Sequence, residues 1–302
     1  MITEIIDENF KKQIIFLLNN HWTGKHELYF PAQNSINIEK KHLFKLFNFR
    51  YLYYIKNTVS TKRSVLFLFK DVSGNNTAVL IFKDLSVYSI KLETMDEYYC
   101  GSIFEVSFSH KTNDIVIYDS FLISGNKINY HPFEERISEA GFMISNLIKS
   151  ECKITLVKFS DKIVDFKELE KDEELFIIPN DIPILTGINF SFFKWKPTEK
   201  ITFNLHVMEK EKDLILMSSN FRKLTDFAKI CNNNDNGKEY INNIKNLDNY
   251  KNNCILEINI KFPEGKIIIE KVNDEKIYPT SIRLIEKILF IKRENIKFEE
   301  LF

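Results

Sequence analysis

Between residues 64 and 118 one local pattern recurs: a short run of β-branched, aromatic and other apolar residues, closed by a turn signal. The runs are S-V-L-F-L-F (64–69), T-A-V-L-I-F (77–82), S-V-Y-S-I-K-L (86–92), I-F-E-V-S-F (103–108) and D-I-V-I-Y (114–118), with S-G-N-N at 73–76 and S-G-N at 124–126. Such runs suit a pleated, partly buried surface, and Gly/Asn pairs suit tight reversals. An antiparallel sheet is therefore predicted here.

Helical spacing flanks this region. Phe10, Ile14, Ile15, Leu17 and Leu18 follow an acidic first turn, which predicts an opening helix over 7–20. A second helix is predicted over 132–150 from the stripe Ile137, Ala140, Ile144, Leu147 and Ile148. Strands are expected again at 153–158, 174–178, 188–195 and 200–207, and a helix set among strands predicts an α+β domain. Further strands at 213–218, 255–262 and 265–272 surround C-N-N-N-D-N-G (231–237), a loop or helix boundary, which suits a small β-barrel. After Pro279, the residues Ile282, Ile285, Leu289 and Ile291 predict a closing helix.

At 302 residues the chain exceeds one ordinary core, so two domains are expected. Its 44% hydrophobic content excludes wholesale disorder. Basic and acidic residues balance at 42 each, so any polyanion binding must be local. The cysteines Cys100, Cys152, Cys231 and Cys254 show no C-x-x-C pair, and no two histidines fall at helical ligand spacing. A reducing compartment, no signal peptide and no membrane span are expected.

The segment P-N-D-I-P-I-L-T-G-I-N-F-S-F-F-K-W-K-P-T-E-K-I-T-F-N-L (179–205) carries the strongest chemical signal. Lys194 and Lys196 are one residue apart on a strand, so both ammonium groups can meet one phosphate. Alternating lysines also occur on ordinary exposed strands. The surrounding pattern, Pro179, Pro183, Gly187, Lys194, Trp195, Lys196, Pro197, Thr202, Phe203 and Leu205, resembles the covalent nucleotidyltransferase superfamily, and within it the mRNA capping guanylyltransferases.

Other segments extend the resemblance in order. F-P-A-Q-N-S-I-N-I-E-K-K-H-L (30–43) looks like the approach to the nucleophile strand. I-V-I-Y-D-S-F-L-I-S-G-N-K-I (115–128) and F-E-E-R-I (133–137) look like later motifs, as does the ending G-K-I-I-I-E-K-V-N-D-E-K-I-Y-P-T (265–280).

The resemblance implies GMP transfer from GTP, with Mg or Mn, through a lysine to the 5′ end of mRNA. It further implies a nucleotidyltransferase-like domain over 1–206, an OB-fold domain over 207–277, and a helix over 278–302 docking on the first domain. The implied partners are GTP, the mRNA 5′ end, an RNA 5′-triphosphatase and the RNA polymerase II tail, in a nucleus or viral factory.

At the family's K-x-D-G-x-R motif this sequence reads Thr58, Ser60 and Thr61, with only Arg63 retained. A threonine hydroxyl needs a dedicated base to attack phosphorus, whereas a lysine amine beside other cations does not. Impaired or lost transfer is the leading expectation. The alternatives are an active enzyme with the nucleophile relocated to Lys56 or Lys62, and a non-catalytic scaffold for capping partners.

The family alignment further implies Glu105 as a metal or ribose carboxylate and Tyr118 as the base-stacking aromatic. It implies Lys194 and Lys196 as the phosphate cradle, Arg63 as a further nucleotide-binding residue, and Lys271 and Lys276 as nucleotide-binding remnants of the final motif, in which Asn273 replaces one arginine.

Overall fold

The computed structural model describes residues 2–24, 30–58, 61–169, 173–221, 223–230, 235–274, 276 and 278–301. The side chains of Thr58, Asp235 and Asn236 also lie outside the description, as do Ser60, Glu275 and most of the Asn-rich stretch. The chain divides into two compact units, one of 1–38 and 44–195, the other of 39–43 and 196–301.

The first unit opens with α1 (Glu8–Thr23), whose N-cap Asp7 accepts from the backbone N–H groups of Asn9 and Phe10. The helix ends at Gly24 with φ of 74°, a left-handed geometry that glycine adopts without a Cβ clash. Its buried face, Ile14, Ile15, Leu18 and Trp22, packs on Val65, Phe67, Val79 and Ile81.

Those four residues belong to a large sheet built from β3 (Lys62–Lys70), β4 (Asn76–Phe82), β5 (Val87–Ile90), β6 (Cys100–Ser109) and β7 (Asp114–Ile123). The order is β5-β4-β3-β6-β7, all antiparallel, with the pair Thr3–Glu4 beyond β5 and Asn126–Lys127 beyond β7. Each sequence run at 64–118 lies wholly or largely within these strands. β8 (Lys153–Leu156) adds to β7 in parallel.

A second sheet of the same unit contains β1 (Gln33–Asn37), β2 (Leu52–Thr58), β9 (Glu173–Pro179) and β10 (Gly187–Trp195), ordered β2-β9-β10-β1, with Phe159–Ser160 outside β2. Between the sheets lies a core of Tyr53, Ile55, Phe133, Ile137, Val157, Ile178 and Phe192. The helix predicted over 132–150 is shorter, α3 (Phe133–Ser145), because Lys149–Ser150 pairs with Leu92–Glu93 as a two-residue ladder. The helix α2 (Lys40–Phe47) was not anticipated.

The second unit has strands β11 (Phe203–Lys210), β12 (Asp213–Asn220), β13 (Lys223–Ile230), β14 (Ile255–Lys261) and β15 (Lys266–Val272). Its order is β13-β12-β11-β14-β15: a three-strand meander, then α4 (Asp235–Lys245), then a hairpin whose first strand returns to β11. That connectivity is the OB topology. The closing helix α5 (Ile282–Glu294) is capped by Ser281, which accepts from the Leu284 N–H, so Ser281 and not Pro279 sets its start.

One expected boundary shifts. The division expected at 206/207 falls inside β11, which pairs with β12 and β14; the units divide after Trp195. Ile285 and Ile288 of the closing helix are buried with Leu205, Leu214, Leu256 and Ile258 in the second unit's core. The architecture is α+β, with largely antiparallel sheets, an OB-type unit and a closing helix. Among the described residues no helix is long and apolar enough to cross a membrane.

Candidate functional site

Strand registers sort the predicted site residues onto faces, because cross-strand partners share a face and neighbours along a strand oppose each other. Asn57 lies opposite Glu174, and Phe176 opposite Lys194; Lys56 lies opposite Leu175, which in turn faces Trp195. One face of the second sheet therefore carries Asn57, Glu174, Phe176 and Lys194. The other carries Lys56, Glu173, Leu175 and Trp195.

The face with Lys194 looks onto the large sheet. Phe176 meets Tyr118 of β7 edge-on at 6.5 Å between ring centroids and packs into the core between the sheets. On this face Lys194 Nζ pairs with Glu174 Oε2 at 3.4 Å, and Asn57 Nδ2 donates to Glu174 Oε1 at 2.9 Å.

From the large sheet, Arg63 of β3 reaches Glu105 of β6, its Nε donating to Oε1 at 2.7 Å. Arg63 Nη2 also donates to Glu105 and to the carbonyl of Gln33, which joins this pair to the start of β1. A bulge in β7 adds Tyr118 as an extra residue: Glu105 lies opposite Asp119, and Val106 opposite Ile117. Bulges re-aim side chains, and here Tyr118 enters the core between the sheets while Asp119 stays opposite Glu105. Asp119 is held by Arg136 of α3 through two bonds, Nε to Oδ1 at 2.8 Å and Nη2 to Oδ2 at 3.0 Å.

The electrostatics follow from burial. Glu105 is only 5% exposed, and desolvation raises its carboxyl above the ordinary range; Arg63 opposes the shift and the Asp119 charge adds to it. Burial pushes the Tyr118 phenol up to about 12, with the Glu105 and Glu174 charges acting in the same direction. Tyr118 is thus a neutral, partly buried aromatic in the wall between the sheets.

A raised carboxyl pKa has a testable sign. The folded state holds the Glu105 proton more tightly than the unfolded chain does, so this group favours folding most when protonated, at or below the ordinary carboxylate pKa. Its contribution is lost as pH rises through the raised value. Thermal denaturation from pH 4 to 7 should show Glu105→Gln gaining on the wild type as pH rises; parallel curves would contradict it.

Both relocated-nucleophile candidates point elsewhere. Lys56 shares the face of Glu173 and pairs with its Oε2 at 3.1 Å, opposite to the face of Lys194 and Glu174. Lys62 lies opposite Phe108, on the face of the large sheet opposed to Arg63, where its charge acts on Asp84 and His110. Strand alternation is the reason in both cases. The backbone of Thr58 pairs with Glu173.

Glu105, expected as a metal or ribose carboxylate, is engaged by Arg63. The guanidinium of Arg63 is already seated on Oε1, and among the described residues no three His, Cys, Asp or Glu side chains gather into a metal-ligating group. Lys196 follows the end of β10 at Trp195 and opens the second unit's main segment. Lys271 pairs with Glu257 across β15 and β14 at 3.6 Å, and Lys276 stands exposed beyond β15, both in the second unit.

Glu174, Asn57, Asp119 and Gln33 were missed as site residues. Gln33 and Asp119 lie within the segments 30–43 and 115–128 that carry the resemblance, without having been singled out there. What remains is a pair of ion pairs, Arg63–Glu105 and Lys194–Glu174, on the two sheet faces that border the core between them. A phosphate entering there would compete with a carboxylate for each cation.

No family model matches this sequence. Among solved structures, the chain is similar to the ligase domain of M. tuberculosis LigD at 8% identity and a TM-score of 0.34, covering 82% of this chain and 96% of that one. It is similar to the ATP-dependent DNA ligase of bacteriophage T7, solved in complex with ATP, at 9% identity and a TM-score of 0.39, covering 80% and 98%. A structure from a study of Lig E DNA ligases is similar at 9% identity and a TM-score of 0.36, covering 80% and 99%.

Proposed function

We propose that this chain is a degenerate covalent nucleotidyltransferase of the mRNA guanylyltransferase type, one that has lost GMP transfer and acts in cap formation by binding. The observation that carries the reading is the orientation of the amines near the missing nucleophile. Thr58 stands where the family lysine is expected, and the flanking Lys56 and Lys62 lie on sheet faces opposite to those of Lys194 and Arg63. In-line attack on an α-phosphorus needs an amine aligned with the bound phosphate, and a side chain on the far face of a strand has no such approach.

The ordered motifs support the family reading, as do two largely antiparallel sheets enclosing a core and a following unit of OB connectivity. The retained Arg63 and Lys194 suit a phosphate, but each is held by a carboxylate, so nucleotide binding there is expected to be weak. In this reading the protein serves its RNA 5′-triphosphatase or polymerase-tail partners as a scaffold, in a nucleus or viral factory.

The test is incubation of the purified protein with α-labelled GTP and Mg or Mn, followed by denaturing electrophoresis. No labelled band is expected from the wild type. A covalent band that disappears in Lys56→Ala or Lys62→Ala would overturn the reading.

A further inference from the structure

The second unit contains a cavity of about 630 Å³ bordered by the β14–β15 loop and the C-terminal end of α5. A volume in that range suits a small ligand, since binding pockets run roughly 300–1,000 Å³. Its charged lining is Lys261, Lys292, Arg293 and Glu199, three cations against one carboxylate.

The cations are poorly compensated. Lys292 is 4% exposed, and its Nζ donates to Asn259 Oδ1 and to the Ile201 carbonyl, each at 2.9 Å, and to the Thr198 carbonyl. Every acceptor is neutral, and among the described residues Lys292 makes no ion pair. Lys261 and Arg293 are exposed at the rim, again with no ion pair among the described residues. Burial pushes the Lys292 amine down to about 8, with the Glu199 and Glu270 charges opposing the shift.

An aromatic completes the arrangement. Phe262, in the β14–β15 loop, is 38% exposed and lines the same cavity. In OB topologies the loop joining the fourth and fifth strands is a recurrent oligonucleotide contact, and exposed aromatics beside basic residues stack nucleobases.

We propose that this cavity binds the phosphate of a nucleotide unit, with Lys261 and Arg293 contacting the phosphate, Lys292 supplying positive potential from below, and Phe262 stacking on the base. The inference uses the second unit alone and does not depend on the reading of the first.

The experiment measures binding of three probes to the full chain: pyrophosphate, GMP, and a short 5′-labelled single-stranded RNA. Losing two charge-assisted contacts should weaken RNA or GMP binding roughly tenfold or more in Lys261→Ser/Arg293→Ser. Phe262→Ala should weaken RNA and GMP but not pyrophosphate. Lys127→Ser, at an exposed position of the first unit, should leave the affinity unchanged, which ties any loss to this cavity. RNA binding that GMP displaces points to a free nucleotide, and RNA binding that GMP does not displace points to a nucleic-acid chain; both support the site. Unchanged binding in the double variant, absence of binding by RNA and GMP alike, or indifference to Phe262→Ala overturns it.

Discussion

Replacing Arg136 with methionine is expected to cost about 3–5 kcal/mol of folding stability, the usual result of leaving one half of a buried ion pair alone. Arg136 is 1% exposed and Asp119 2%, so water cannot take over the orphaned carboxylate. The guanidinium also donates to the carbonyls of His131 and Ile182. It thereby binds three separate pieces of chain: β7, the entry to α3, and the connection from β9 to β10. The double variant Arg136→Met/Asp119→Leu should recover much of the loss, because exchanging a buried pair for apolar side chains of similar volume is often neutral. Urea denaturation of the single and double variants reads both effects. A single variant within about 1 kcal/mol of wild type would show that Asp119 finds water or another donor.

Lys292→Met should also destabilise, by an amount that depends on pH. Removing the amine strands three buried oxygens at about 1–3 kcal/mol each, partly offset by relief of the ammonium's own desolvation, so a net loss of about 2 kcal/mol is expected near pH 7. The folded amine titrates at about 8 against an ordinary lysine value of 10.5. Between those values the unfolded chain binds more protons than the folded one, so wild-type stability rises with pH across that window. The methionine variant has no such gain, and its deficit should widen towards pH 10. The Glu199 and Glu270 charges favour the ammonium and offset part of the effect of burial. Denaturation curves at pH 7 and pH 10 check it; a constant deficit would mean that the amine is solvated.

Much of the strand content was legible because it is local. The runs at 64–69 and 77–82 are continuous apolar stretches, as expected of strands covered on both sides, and they became β3 and β4. Asp7 and the i, i+4 apolar positions after it similarly announced α1. The site was less legible, for two reasons. Alternation showed that Lys56 and Asn57 oppose each other but not which of them faces the other sheet, and that depends on how Phe176 packs against Tyr118. The ion pairs Lys56–Glu173 and Arg63–Glu105 join residues far apart in sequence, so no local spacing reveals them. The bulge at Tyr118 is a third case, since one extra residue in a strand leaves the hydrophobic pattern nearly unchanged.

The threading of the two sheets in the first unit has a kinetic consequence. Strands β3 to β7 follow one another and are joined largely by hairpins and short connections, so they can zip up from local contacts. Strand β2 precedes that whole excursion, yet its partner β9 follows it, and their pairing must close the long loop from Thr58 to Glu173. Closing such a loop delays non-local pairing. The sheet that bears Lys194 is therefore the last part of this unit to assemble, and until it does the inward face of the large sheet, with Tyr118 and Val116, stands bare to a neighbouring chain.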